Sequence, residues 1–199
     1  MKKWKVLVPC VLAAGAAAAL LLAKKPETEQ GSKPAKAENT TAEPKNAKEG
    51  SYSFVSGYKD PKTVELTLRY DAERFGFAVI SEEFLSYSSD SHVAVLRGED
   101  YAAQFEYAAY YPGEDFAALS KGLAEKYKGF TPAVCGENAG VRYRDGDNFC
   151  FCFPIPGDAA SYLLVTLIRV AAKPEDFEAL PESGEVGALL ASLRFRNVK

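Results

Sequence analysis

A chain of 199 residues with a formal net charge of −3, 47% hydrophobic and 12% aromatic, is long enough for one packed domain with flanking segments. Five lysines flank an N-terminal apolar run, so the residues after Lys25 carry 19 basic and 27 acidic side chains, a net charge of −8. A domain of that sign repels phosphate backbones and anionic membrane surfaces, which argues against nucleic acid as its main partner.

The apolar run, Val6 to Ala23, sits between Lys2-Lys3-Trp4-Lys5 and Lys24-Lys25. As a helix it spans about 27 Å, close to the ~30 Å hydrocarbon core of a bilayer. Three readings of residues 1–25 compete. An uncleaved signal anchor fits the length of the run, although Lys24-Lys25 weakens the positive-inside asymmetry. A cleaved signal peptide would use Ala17-x-Ala19, at the cost of leaving Leu20-Leu21-Leu22 at the new N-terminus. Lipidation at Cys10 would need cleavage beside Pro9, early in the run. All three export the remainder of the chain. The expected location is therefore the cell membrane, single-pass with the C-terminal domain extracytoplasmic, or secretion after signal cleavage.

Residues 26–50 change abruptly to Lys, Glu, Pro, Ala, Thr, Ser and Asn, with no aromatic residue and no Val, Ile or Leu. Such a segment cannot bury enough apolar surface to offset ordering entropy and reads as a disordered linker reaching about 28 Å root-mean-square. Residues 51–199 then read as one domain. Val64, Leu66, Leu68 and Tyr70 alternate with Glu65, Thr67 and Arg69, a half-buried strand over Thr63–Tyr70. Short strands come next at Phe75–Ile80 and His92–Leu96. A longer one covers Tyr101–Tyr111, with Phe105, Tyr107 and Tyr111 on one face.

After Pro112-Gly113 the period becomes helical. Phe116, Leu119, Leu123 and Tyr127 form one stripe, Glu114 and Asp115 suit the N-terminal dipole, and Gly129 suits the C′ position. Gly122 inside this helix costs about 1 kcal/mol relative to Ala and suggests close approach to a sheet. Val141–Arg144, Asp145-Gly146-Asp147 and Asn148–Ile155 predict a hairpin. The second of these strands and Ser161–Ala171 are apolar almost throughout, as strands covered on both faces are. The helix at Phe116 would cover one face. A C-terminal helix over Gly184–Leu193, capped by Ser183, would cover the other. Pro174 and Pro181 bracket a short helical segment, and Leu193-Arg194-Phe195-Arg196 suits a short edge strand.

Three stretches carry a family resemblance: "FGFAVISEEF" opening the domain, "VCGENAGVRYR" leading into a strand, and the closing "ALLASLRF". In this order of elements, over roughly Asp71–Val198, the chain resembles the PsbP-like fold family. That family is named for an extrinsic subunit of the oxygen-evolving complex and includes exported bacterial proteins of unknown role. The resemblance implies an α+β fold, an α/β/α sandwich around a central antiparallel sheet. It implies no metal-binding residues here, and an N-terminus without a transit peptide does not suit a photosystem role.

No catalytic, cofactor-binding or metal residue is assigned. His92, the one histidine, lacks a nucleophile elbow or an HExxH frame and reads as a strand residue beside Ser91. Cys150 and Cys152 point to the same face of one strand. They and Cys135 read as buried free thiols, with a disulfide from Cys135 or a Cys₃His zinc set including His92 as alternatives. Arg142 and Arg144 share a strand face that Arg69 could approach. That set reads as a solvated surface or, alternatively, an anion-binding patch. Glu82-Glu83 and Glu114-Asp115 read as solvated or dipole-stabilising rather than as a catalytic pair. The expected function is a non-enzymatic, membrane-tethered binding or assembly domain with an envelope protein partner. The alternative is a small-molecule or metal carrier with its ligand between sheet and helix.

Overall fold

Alternation governs the core of the computed structural model, which describes residues 46–56, 62–81 and 92–198. The strands are β1 (Ala47–Ser56), β2 (Lys62–Asp71), β3 (Gly76–Ser81), β4 (His92–Arg97), β5 (Tyr101–Ala109), β6 (Lys128–Cys135), β7 (Asn138–Asp145), β8 (Asn148–Pro154), β9 (Ser161–Arg169) and β10 (Arg194–Val198). The helices are α1 (Phe116–Lys126), α2 (Pro174–Ala179) and α3 (Gly184–Ala191), with a 3₁₀ turn at Leu180–Glu182 between the last two. The fold is α+β. Among the described residues, no helix is long and apolar enough to cross a membrane.

Two antiparallel sheets form, not one. The larger has the order β3-β4-β5-β9-β8-β7-β6, and the smaller the order β1-β2-β10. The main core lies between them. From β2, Val64, Leu66 and Leu68 point inward; they meet Tyr101, Ala103 and Phe105 of β5 and Leu163, Val165 and Leu167 of β9. Each of these side chains is essentially sealed from solvent, and burying one Val, Leu or Phe contributes about 1.5–3 kcal/mol. Val186, Leu189 and Leu190 of α3 and Phe177 of α2 close the same core. The second face of the large sheet is covered at its β7–β8–β9 end by α1, where Phe116, Leu123 and Tyr127 pack over Val141, Tyr143, Cys150 and Cys152. Strand β8 is thus covered on both faces, whereas β9 is sealed on its core face and only half-buried on the other, so the expectation of full cover holds for β8 alone.

The helices end where local chemistry ends them. Asp115 caps α1, its carboxylate accepting from the Ala118 amide at 2.9 Å. Ser183 caps α3 in the same way through the Val186 amide at 3.2 Å. Pro174 opens α2 at a position where its missing N–H costs nothing.

Several expectations need correction. The pairing Ala47↔Asp71 brings Ala47–Gly50 into β1, so the linker expected over residues 26–50 gives way to the domain at about residue 46. Backbone ladder bonds to β2 decide this, whatever the polarity of the side chains. Tyr127 already adopts extended backbone and β6 starts at Lys128, so Gly129 lies within a strand, at a register shift, and not at a helix C′ position. A Cβ on Gly122 would meet nothing within 4 Å, so no close approach to the sheet explains that glycine. Tyr111 lies beyond β5 and is 74% exposed, not on the core face with Phe105. The anchor, most of the linker and Glu82-Glu83 lie outside the described residues.

Candidate functional site

Where β10 begins, opposite Thr67, β2 runs on for four more residues without it. Ser192 stands in for the missing partner. Its hydroxyl accepts from the Arg69 amide at 2.9 Å and donates to the Leu189 carbonyl at 2.7 Å, splicing the end of α3 to the strand. Between β2, the start of β10 and α3 lies a groove of about 970 Å3. The helix offers it small side chains, Gly184, Ala188 and Ala191, at helical spacing, which leaves the space open. Its floor is apolar: Phe75 and Leu189 border it at the margin of the core, with Leu68 and Leu96 sealed from solvent.

Charge crowds the walls. Arg69, Arg74, Arg194 and Arg196 line the groove together with Glu49, Asp71 and Glu185. Glu185 is engaged at both oxygens: Oε1 accepts from the Tyr101 hydroxyl at 2.7 Å, and Oε2 takes the Arg74 guanidinium. Burial, then the bond to Glu185, pushes the Tyr101 phenol well above its ordinary value, so it remains a proton donor throughout the physiological range. Arg194 donates through Nη1 to the carbonyls of Ala191 and Leu193, each at 2.8 Å, which fixes it at the C-terminal end of α3.

Residues expected to matter together are dispersed. Arg142 and Arg144 do share a face, but Arg142 pairs with Glu182 at 2.6 Å and Arg144 with Glu178 of α2. They are half-buried and neutralised, not solvated, and Arg69 lines the groove without them. His92 opens β4 opposite Ser81, and its side chain lies outside the described residues. Glu114 precedes α1 and Asp115 caps it.

The three described cysteines are free thiols. Cys150 and Cys152 face α1, whereas Cys135 packs into the main core on the opposite face of the sheet. A disulfide from Cys135 to either would have to pass through the sheet, and the same separation breaks the Cys₃His set. Among the described residues no cluster of three His, Cys, Asp or Glu side chains could hold a metal. Burial pushes the Cys152 thiol up to about 12, partly opposed by the Tyr143 hydroxyl beside it.

The groove itself had no local signature, because its walls come from residues 49–75 and 184–196. What the sequence does carry is the distribution of arginine: four of the eight arginines in the chain line this one groove, and among the described residues no lysine does. No protein-family model, curated protein or solved structure matches the chain.

Proposed function

We propose that the chain is a non-enzymatic binding domain of the bacterial envelope, held at the membrane by its N-terminal segment, and that the groove between β2 and α3 is where it engages its partner. The finer architecture we propose is the PsbP-like α/β/α sandwich, to which three sequence stretches and the cover on both faces of β8 lend support. The observation that carries the functional reading is the groove: about 970 Å3, apolar at the floor and charged at the walls, at the upper end of the volumes typical of ligand sites. Binding suits it better than proton transfer, because Glu185, the acid deepest in the network, already has both oxygens engaged.

The same volume favours a second reading, a carrier of a small molecule held between sheet and helix. Native mass spectrometry of the full chain, purified in a non-ionic detergent, separates the two. Retained mass lost on Ala188→Leu, which narrows the groove, supports a carrier. A protein cross-linked at the groove and lost with the same substitution supports the binding module. Adducts and cross-links indifferent to Ala188→Leu would overturn both.

A further inference from the structure

The groove inverts the charge of the domain around it. Residues after Lys25 carry a net charge of −8, yet four guanidinium groups and three carboxylates line this groove. Of the carboxylates, Glu185 is ion-paired. It is held by Tyr101 and Arg74, and Asp71 accepts from the Glu73 amide at 3.0 Å within its own turn, while Glu49 lies at the rim on β1. Among the described residues, no acid of the groove is committed to Arg194 or Arg196. Arg194 spends Nη1 on helix carbonyls, which orders the guanidinium while its other two nitrogens take no part in those bonds.

The choice of cation matters as much as the count. The chain has sixteen lysines and eight arginines, yet among the described residues the cations of the groove are all arginine. A guanidinium is planar, always charged and forked to match carboxylate or phosphate oxygens in pairs, whereas an ammonium is a strongly hydrated point charge. Arg142 and Arg144, outside the groove, are each matched to one glutamate, as Arg74 is to Glu185.

We infer that the groove takes a ligand bearing at least two oxyanion groups, carboxylate or phosphate, bridging from Arg69 to Arg194 and Arg196; this rests on the groove being the binding site. The apolar floor accommodates the carbon skeleton between the charged ends. An anionic ligand also meets an otherwise acidic domain that repels it elsewhere, which concentrates it at the one complementary site.

Calorimetric titration of the full chain in a non-ionic detergent tests this, with pyrophosphate, citrate and a tetraglutamate peptide as probes and a tetraglutamine peptide as control. At least one oxyanion probe binds, with affinity falling as salt rises, and Arg69→Gln and Arg196→Gln each weaken it tenfold or more. Arg169→Gln, exposed and outside the groove, leaves it unchanged. The ranking of pyrophosphate against the two carboxylate probes tells phosphate from carboxylate as the preferred group. No binding by any oxyanion, or binding indifferent to Arg69→Gln and Arg196→Gln, overturns the inference. If retained or cross-linked material is lost with Ala188→Leu but survives both arginine substitutions, the groove stands as the site and only the anionic class fails.

Discussion

The side-chain amide of Asn138, at the start of β7, donates to the carbonyl of Leu190, near the end of α3, at 2.9 Å, and reaches the Leu193 carbonyl at 3.2 Å. The Leu190 carbonyl, in the last turn of the helix, accepts otherwise from the chain just beyond the helix, with the Leu193 amide at 3.4 Å, and the Leu193 carbonyl, past the helix end, is shared with Arg194 Nη1 at 2.8 Å. A residue 52 positions away in sequence therefore caps α3 and ties it to the β6–β7 turn. Gly136 in that turn has φ +62 and sits so close to α3 that a Cβ there would lie 3.1 Å from the Ala191 methyl. Asn138→Ala should cost about 1 kcal/mol, because it removes a donor shared by two carbonyls that each keep another partner. Urea unfolding with an unchanged slope and a lower midpoint is the expected result.

Two glycines should respond in opposite senses to the same substitution. A Cβ on Gly140 would fall 2.1 Å from the Cys152 carbonyl oxygen, a backbone atom that cannot give way without breaking the β7–β8 ladder. Gly140→Ala should destabilise by about 3 kcal/mol or more. On α1, Gly122 is exposed and its Cβ would meet open space, so Gly122→Ala should stabilise by up to about 1 kcal/mol. Thermal melts of the two variants beside the parent should move in opposite directions.

The described cysteines should behave as separate thiols, Cys150 and Cys152 buried and Cys135, against expectation, only half-buried. Cys150 and Cys152 lie under α1, and burial raises all three thiols above their ordinary value, so few are thiolate at pH 8. Alkylation of the folded chain without reductant should label Cys135 slowly and the other two hardly at all. In denaturant, still without reductant, all three should label. Intact-mass measurement checks this, and a mass two protons lighter with only one of the three labelled contradicts it.

Alkali should unfold the domain progressively. The Cys152 thiol, ordinarily near 9, is pushed up to about 12, and the Tyr110 and Tyr162 phenols, ordinarily near 10, also reach about 12, in each case chiefly through burial. Above the ordinary values the unfolded chain loses these protons while the folded chain keeps them, so the unfolded state is favoured increasingly with pH. Stability contributed by the three groups is complete below about pH 9 and is lost between there and about pH 12. Urea midpoints measured at pH 8, 10 and 11 should fall in that order. A flat series would contradict the buried assignment of these side chains.

Much of this architecture was legible in the chain. Alternation at Val64, Leu66 and Leu68 marked β2, the stripe through Phe116, Leu123 and Tyr127 marked α1, and the Asp-Gly turn marked the β7–β8 hairpin. Ser183 and the edge strand at Arg194 were also readable from capping and period. Strand β1 was not, because its outward residues Glu49, Ser51 and Ser53 make its start look like the polar linker before it; only pairing with β2 reveals it. Strand β6 was hidden by Gly129 and Pro132, tolerated at the edge of a sheet where one side needs no donor. Least legible were the second sheet and the groove. Both depend on β10 finding β2 across more than 120 residues, and no local periodicity encodes such a meeting.

The sheet that holds the thiols apart also settles how the domain must mature. Cys135 on one face and Cys150 with Cys152 on the other cannot meet once β6, β7 and β8 have paired. Among these three, no native crosslink has to be formed, shuffled or protected. The folded state therefore makes no demand on thiol oxidants or isomerases, and the domain should reach the same native form under reducing and oxidising conditions.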